Sequence, residues 1–200
     1  MSDFSNRLLK TDYSVELVAR SDIRSFIEAN HYSGSINGVM SSFSFALLDG
    51  ANLVGAMIYG PLGMANAWKK YADKPDHVIE LRRLALIDDT PKNAESFFIA
   101  KTLRWLKKNT EIKQVVSYAD PNYGHEGTIY KAANFRHVGM TSKGKVIWWQ
   151  GKKYHDKAIR TTYNGKLKPF AERLKQALEA GEAVYAVQEP KHIYVMEINK

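Results

Sequence analysis

Residues 115–135, VVSYADPNYGHEGTIYKAANF, constrain the fold more than any other stretch. Val115 and Val116 are β-branched and apolar and read as the buried end of a strand. Asp120-Pro121 stops it, because proline cannot donate to a ladder and disfavours helix in its predecessor. Asn122, Gly124 and Gly127 then form a turn. A helix starts near Gly127 or Thr128, carries Ile129, Tyr130, Ala132 and Ala133, and has Asn134 as its C-cap. Strand, polar loop and short helix form the carboxyl end of an α/β sheet, where ligands usually sit. Ser117, Tyr118, Asp120, Asn122, His125 and Tyr130 are thus expected in one small volume.

The other elements follow from periodicity and punctuation. A first strand is expected over residues 11–19, TDYSVELVA, from Tyr13, Val15, Leu17 and Val18, then a helix with Ser21-Asp22 at its cap and Ile23, Phe26, Ile27 and Asn30 at helical spacing. That helix runs into His31-Tyr32-Ser33-Gly34. Asp49-Gly50 between two apolar runs predicts a hairpin. Val78–Ile87, VIELRRLALI, predicts a strand with Ile79, Leu81, Arg83, Ala85 and Ile87 on one face. Glu80, Arg82, Leu84 and Leu86 take the other. A helix over Phe97–Lys108 follows the loop at residues 88–96. Short strands at Arg136–Thr141 and Lys145–Gln150, a helix at Pro169–Ala180 and strands near Ala183–Val187 and Ile193–Ile198 complete the chain. This is a mixed α/β order without repeats.

With 200 residues and 44% hydrophobic content the chain is long enough for a real core. No cysteine is present, which excludes disulfides, thiolate zinc sites and thiol nucleophiles. No apolar run approaches the ~18 residues of a membrane span, and the first residues lack a signal-peptide pattern. A cytoplasmic protein is expected. Between Lys131 and Lys175 twelve Lys or Arg face only Asp156 and Glu172, giving +10, while the rest of the chain is −2 of the total +8. A basic flank with Trp148, Trp149, Tyr154 and Tyr163 interleaved points to nucleic acid; the plainer alternative is a solvated lysine-rich surface.

This element order resembles the GNAT-type N-acetyltransferase fold, a splayed mixed sheet flanked by helices. HYSG, ELRRLAL, TPKNAES and SYADPNYGHEGTIYKAANF, in that order, resemble the Mom family of phage DNA-modification proteins over about residues 31–155. The expected architecture is thus a catalytic domain at residues 1–155 with a basic C-terminal extension at 156–200. The resemblance implies an acyltransferase-like enzyme that modifies the exocyclic amine of adenine in DNA. The adduct would be of carbamoylmethyl type and would block host restriction. It implies acetyl-CoA as donor and DNA as partner, and a homodimer is compatible. A GNAT enzyme acting on a small or protein amine, and a non-catalytic nucleic-acid-binding protein, are the competing readings.

The resemblance also assigns residues. Tyr130 stands where such enzymes place a tyrosine that protonates the leaving thiolate. Asp120 would position or deprotonate the adenine amine, or is an Asp-Pro turn residue. Ser117 would orient the same group. His31 and Tyr32 border the acceptor site, with His31 as base or ligand; iron bound by His31, Tyr32, Asp120 and Tyr130 is a further possibility. Arg82 would hold a carbonyl or phosphate, or pairs with Glu80 or Asp88. Arg83, Leu84, Lys92, Asn93, Ala94, Glu95 and Ser96 would bind the donor, with the helix start taking its pyrophosphate; an ordinary capped helix entry reads equally well. Lys143, Lys145, Lys152, Lys153, Arg160, Lys166 and Lys168 would contact DNA.

Overall fold

The computed structural model describes residues 13–64 and 66–198. They fall into two units. The first holds residues 13–119, 125–139 and 192–198, the second residues 120–124 and 140–191. The division differs from the boundary at residue 155 expected from sequence. The last strand is the reason: it returns to pair inside the first unit's sheet, while residues 140–155 join the second.

In the first unit the chain runs β1 (Tyr13–Val18), α1 (Arg24–Asn30), β2 (Phe43–Asp49), β3 (Asn52–Gly60), β4 (Val78–Leu86), α2 (Ala94–Asn109), β5 (Gln114–Ala119), α3 (Thr128–Ala132) and β6 (Arg136–Met140). After the second unit's β7 (Gly144–Trp149), β8 (Lys152–His155), α4 (Pro169–Glu179) and β9 (Ala183–Gln188), β10 (His192–Glu197) closes it. The seven strands of its sheet lie in the order β1-β2-β3-β4-β5-β10-β6. All the registers resolved are antiparallel except β4 with β5, which is parallel.

The sheet buries both faces. On one, Phe45, Leu47, Met57, Tyr59, Ile79, Leu81 and Val115 pack with Phe98, Ile99 and Leu106 of α2. On the other, Ile23 and Ile27 from the α1 region cover Ala46, Ala56 and Ile58. The helix α1 starts two residues later than a Ser21 cap would place it. Ser21 and Asp22 build the preceding turn instead, Arg24 N donating to Ser21 O (3.3 Å) and Ala19 N to Asp22 Oδ2 (3.1 Å). The helix α2 begins at Ala94, three residues earlier than expected, so Ala94, Glu95 and Ser96 form its first turn rather than a loop.

The ladder between β3 and β4 is irregular at one point. Ile58 lies opposite Arg83 and Tyr59 opposite Leu81, so Arg82 is an extra residue in β4, a β-bulge. The bulge shifts the side-chain phase. Leu84 and Leu86 pack into the same cluster as Ile79 and Leu81, whereas strict alternation put them on the opposite face. Glu80 and Arg83 share the face of their cross-strand partners Gly60 and Ile58, and Arg82 is added between them.

In the second unit β8, β7 and β9 form an antiparallel three-stranded sheet. Leu174 and Ala177 of α4 pack on Ile147, Trp149, Tyr154 and Ala183. Strand β8 was not expected. It follows a tight turn in which Gln150 and Gly151 both adopt positive φ (49° and 70°), the geometry that folds two strands back on each other.

Candidate active site

The site in the first unit is created by a parting of strands. β4 and β5 pair only from Val78 opposite Gln114 to Leu81 opposite Ser117. Past that point β4 continues on β3 alone and β5 on β10 alone. The backbone groups of β4 from Arg82 to Leu84 that point away from β3 therefore face an opening rather than a ladder. The extra residue Arg82 falls where the strands separate, as expected of a bulge that bends its strand.

Ser117 and Tyr130 stand at the mouth of the splay. Ser117 is fully buried and its hydroxyl donates to Leu81 O (3.1 Å), the last pairing residue of β4. Tyr130 comes from α3, packed against Phe135 and Tyr194 (ring centroids 5.6 and 5.4 Å). Burial pushes its phenol up to about 12; the neighbouring Ser117 hydroxyl opposes this, while Tyr32 and Glu80 add to it. The phenol therefore keeps its proton at neutral pH. The helix α3 is fixed at both ends. Its N-cap Gly127 has φ 78°, and a Cβ there would lie 2.2 Å from Tyr194 Cε2. Tyr194 is tied down by donating its hydroxyl proton to Glu126 O (2.6 Å). At the other end Asn134 is left-handed (φ 62°), and Phe135 N donates to Tyr130 O (2.9 Å), closing a Schellman-type cap.

Arg82 and Arg83 reach the same face of the sheet, a correction to the opposite faces that alternation assigned them; the bulge is the cause. Arg82 Nη1 donates to Pro61 O (2.5 Å) and lies 4.0 Å from Glu80 Oε2. Its chain passes over Gly60, where a Cβ would sit 3.0 Å from Arg82 Cδ and 2.1 Å from Met40 O. Arg83 Nη1 donates to Arg82 O (2.7 Å). Burial lowers the Arg83 pKa, Tyr32 and Glu80 countering and Arg82 reinforcing. The Nε atoms of both arginines are buried without a hydrogen-bond partner among the described residues. Two donors unsatisfied in this way are costly unless a ligand meets them.

The end of α1 brings His31 and Tyr32 to the same surface. Tyr32 lies between His31 (4.2 Å) and His125 (4.8 Å), measured between ring centroids. Burial, then the Arg83 and His125 charges, lower the His31 pKa to about 4, so its ring is neutral at neutral pH. Because Ser33 N donates to His31 Nδ1 (3.1 Å), the ring proton belongs on Nε2, and His31 offers a donor rather than a base. Glu80 is the residue that sequence reasoning treated only as an ion-pair partner. Its charge acts on Arg83, Tyr118 and Tyr130 together. A glutamate in an otherwise apolar strand was the available signal.

Asp120 belongs to the second unit. Its Oδ2 meets Lys191 Nζ at 2.8 Å, and Oδ1 accepts from Asn122 N (3.1 Å) and Nδ2 (2.7 Å). Burial alone would raise its carboxyl pKa, but the Lys191 and Asn122 hydrogen bonds outweigh it and hold the group below the usual carboxylate range. These are the bonds of a turn cap and an ion pair. Among the described residues no three His, Asp or Glu side chains gather as a metal site. The iron set His31, Tyr32, Asp120 and Tyr130 has no support: His31 Nδ1 is occupied by Ser33 and the Asp120 carboxylate by Lys191.

At the start of α2, Asn93 is left-handed (φ 72°) and caps nothing with its side chain. Thr90 and Ser96 turn their hydroxyls onto the carbonyls of Ile87 (3.1 Å) and Asn93 (3.0 Å). Ala94 N is taken by Pro91 O (3.0 Å), so the helix presents the next amides, those of Glu95 and Ser96, with no side-chain cap across them, and Lys92 adds a positive charge, against Glu95 in the first turn. Together with the open edge of β4 at Arg83 and Leu84, these residues fit an extended, amide-bearing ligand that ends in phosphates. All seven expected DNA contacts lie in the second unit. Lys143 pairs with Glu189 (3.9 Å) and Arg160 with Asp156 (2.5 Å); Lys153 lies over the Tyr123 ring (4.5 Å). Lys145, Lys152, Lys166 and Lys168 have no acidic partner among the described residues.

The splayed, mostly antiparallel sheet with helices on its faces is the fold of GNAT acetyltransferases. The ribosomal-protein-S5-alanine acetyltransferase of Vibrio fischeri superposes with a TM-score of 0.51 at 12% identity, over 96% of this chain and 97% of that one. Arabidopsis thaliana NAA60, in complex with acetyl-CoA, gives 0.54 at 11% identity, over 94% and 99%. Within this fold, the Mom protein family model matches residues 12–200, and the chain belongs to that family. The methylcarbamoylase mom of Escherichia phage Mu is 28% identical over 155 residues, 76% of this chain and 63% of that protein. The chain thus spans less than two thirds of that relative's length.

Proposed function

We propose that the chain is a DNA-modifying transferase that places an acyl-derived group on the N6 amine of adenine, drawing on an acyl-CoA thioester. Membership of the Mom family, whose Mu relative is named a methylcarbamoylase, supports this reading. The single observation that carries it is a protonated Tyr130 beside buried Ser117 at the β4–β5 splay, with Tyr32 and Glu80 near enough to act on the phenol; on β4 itself Arg82 and Arg83 keep Nε donors without a partner among the described residues. An acyl-CoA supplies a carbonyl activated by a good leaving group. The edge of β4 at Arg82–Leu84 that β5 leaves unpaired would hold its amide-bearing arm, and Lys92 with the amides of Glu95 and Ser96 its phosphates.

The chain's own groups divide the work. Tyr130 holds its proton for the sulfur that departs, donating where negative charge develops. Ser117 fixes the phenol. The Nε2 proton of neutral His31 and the Arg82–Arg83 pair are donors for carbonyl or phosphate oxygens. Glu80, beside Arg82, takes the proton that the attacking amine loses. Asp120, committed to Lys191 and Asn122, holds its loop. Lys143, Lys145, Lys152, Lys153, Arg160, Lys166 and Lys168 grip the DNA backbone. The setting is the host cytoplasm, and the adduct shields DNA from restriction.

The test is mass spectrometry of nucleosides from DNA of cells expressing the chain. Wild type is expected to yield a deoxyadenosine of increased mass, and Tyr130→Phe to lose it while still binding DNA. An unmodified deoxyadenosine pool, or efficient acylation of small amines with no requirement for DNA, defeats the proposal.

A further inference from the structure

The loop DPNY has a structural task in the second unit. Asp120 caps the turn at residues 121–123, and Asn122 ties it to the end of β9. Asn122 Nδ2 donates to Glu189 O (3.2 Å) and Glu189 N donates to Asn122 Oδ1 (3.1 Å). What this buttress holds up is Tyr123, 41% exposed. Lys153 of β8 lies over the Tyr123 ring and donates to its hydroxyl. Across the sheet Lys153 stands opposite Trp148, 44% exposed, and Trp148 opposite Val184, 57% exposed. The helix α4 packs on the alternate residues, Ile147 and Trp149, so this row lies on the other face. The result is a strip reading Tyr123, Lys153, Trp148, Val184: a part-exposed indole, with a second ring beside it that carries a cation on one face.

We propose that this strip is a stacking platform for unpaired bases of a DNA strand. Aromatic rings on a sheet, flanked by cations, bind single strands because every base offers a π-face once it is unstacked. In a duplex those faces are covered. Charge favours the same occupant. The second unit has eleven Lys or Arg against six acids, a net +5, and Lys145, Lys152 and Lys166 carry no ion pair among the described residues. A protein partner of ordinary composition has no use for that excess. The inference deepens the DNA-modifying reading, because a base must leave its stack before its amine is reached.

The experiment measures binding of the full chain to a fluorescein-labelled oligodeoxythymidylate by anisotropy. A hairpin duplex and the matching oligouridylate serve as competitors, with no donor present. The single DNA strand is expected to bind about tenfold or more tighter than the duplex. Trp148→Ala is expected to remove that preference and leave duplex binding unchanged, and Trp148→Phe to keep most of it. Asn122→Ala, which removes no ring but unties the turn that carries Tyr123 from Glu189, is expected to weaken the strand preference. Lys153→Gln is expected to reduce the salt slope by about one. Equal affinity for strand and duplex, an unaltered Trp148→Ala, or a preference for RNA overturns the proposal. The readout is independent of adenine modification. A chain that binds strands but leaves adenine unmodified refutes the transferase reading alone, and a modifying chain without strand preference refutes the platform alone.

Discussion

Replacing Gly127 by alanine tests how rigidly the tyrosine of the site is held. Two costs apply. Alanine at φ 78° adopts left-handed backbone, worth about 1–2 kcal/mol. Its Cβ would also stand 2.2 Å from Tyr194 Cε2 and 2.5 Å from Cζ. Tyr194 is 1% exposed, stacked on Tyr130 and bonded to Glu126 O, so it has nowhere to retreat. Overpacking of this kind costs about 1–3 kcal/mol. The sum is roughly 2–5 kcal/mol, or about 10 °C in Tm at ~2–4 °C per kcal/mol for this chain length. Gly38→Ala is the control. Gly38 has φ 73°, lies in the same unit and has nothing within 4 Å of its built Cβ, so only the backbone cost applies. Urea denaturation of the two variants isolates the contact, and the adenine adduct reports whether Tyr130 has moved. If Gly127→Ala loses no more stability than Gly38→Ala, Tyr194 yields to the added methyl. It is then no rigid wall, and α3 does not owe its placement of Tyr130 to that contact.

Other outcomes rest on the same geometry. Tyr130→Phe is expected to lower the rate of adenine modification about 10²–10⁴-fold with binding of DNA intact, measured by nucleoside mass spectrometry. His31, with its pKa depressed to about 4 from 6.5, binds fewer protons folded than unfolded between those values. Its contribution to stability is therefore present above pH 6.5 and lost as pH falls towards 4. Discounted for partial exposure it is of order 1 kcal/mol, and urea midpoints of His31→Gln should show a flatter slope across that range. Gly60→Ala, with a Cβ 2.1 Å from Met40 O, is expected to disturb the path of Arg82 and cost more stability than Gly38→Ala in the same denaturation series.

Much of the fold was legible in the residues. Asp120-Pro121, Gly127 and Asn134 mark the end of β5 and both ends of α3, because each performs a backbone task that few residue types can do. The ELRRLAL stretch reads as a strand for the same reason of pattern. Its bulge does not, since one extra residue leaves every neighbour's identity unchanged and shows only in the pairing with β3. That slip misassigned the arginines to two faces. Strand β8 was missed because Gln150-Gly151 is an uncommon pair for a hairpin turn. The partners of Asp120 are not legible for a different reason: a carboxylate before proline looks alike whether it caps a turn or moves a proton. The partners that decide, Lys191 and Glu189, lie about seventy residues away in the chain.

The extra residue in β4 has a consequence for how such a surface can arise. Removing Arg82 would bring Leu81 and Arg83 opposite Tyr59 and Ile58 in an unbroken ladder. Every apolar residue before and after it would keep its side. The charge is thus an insertion that leaves the alternation of the apolar residues intact, and a deletion of that one codon should give a folded chain short of one guanidinium and of the bend at which β4 leaves β5. Strand sheets can acquire or shed a polar group this way without renegotiating their interior.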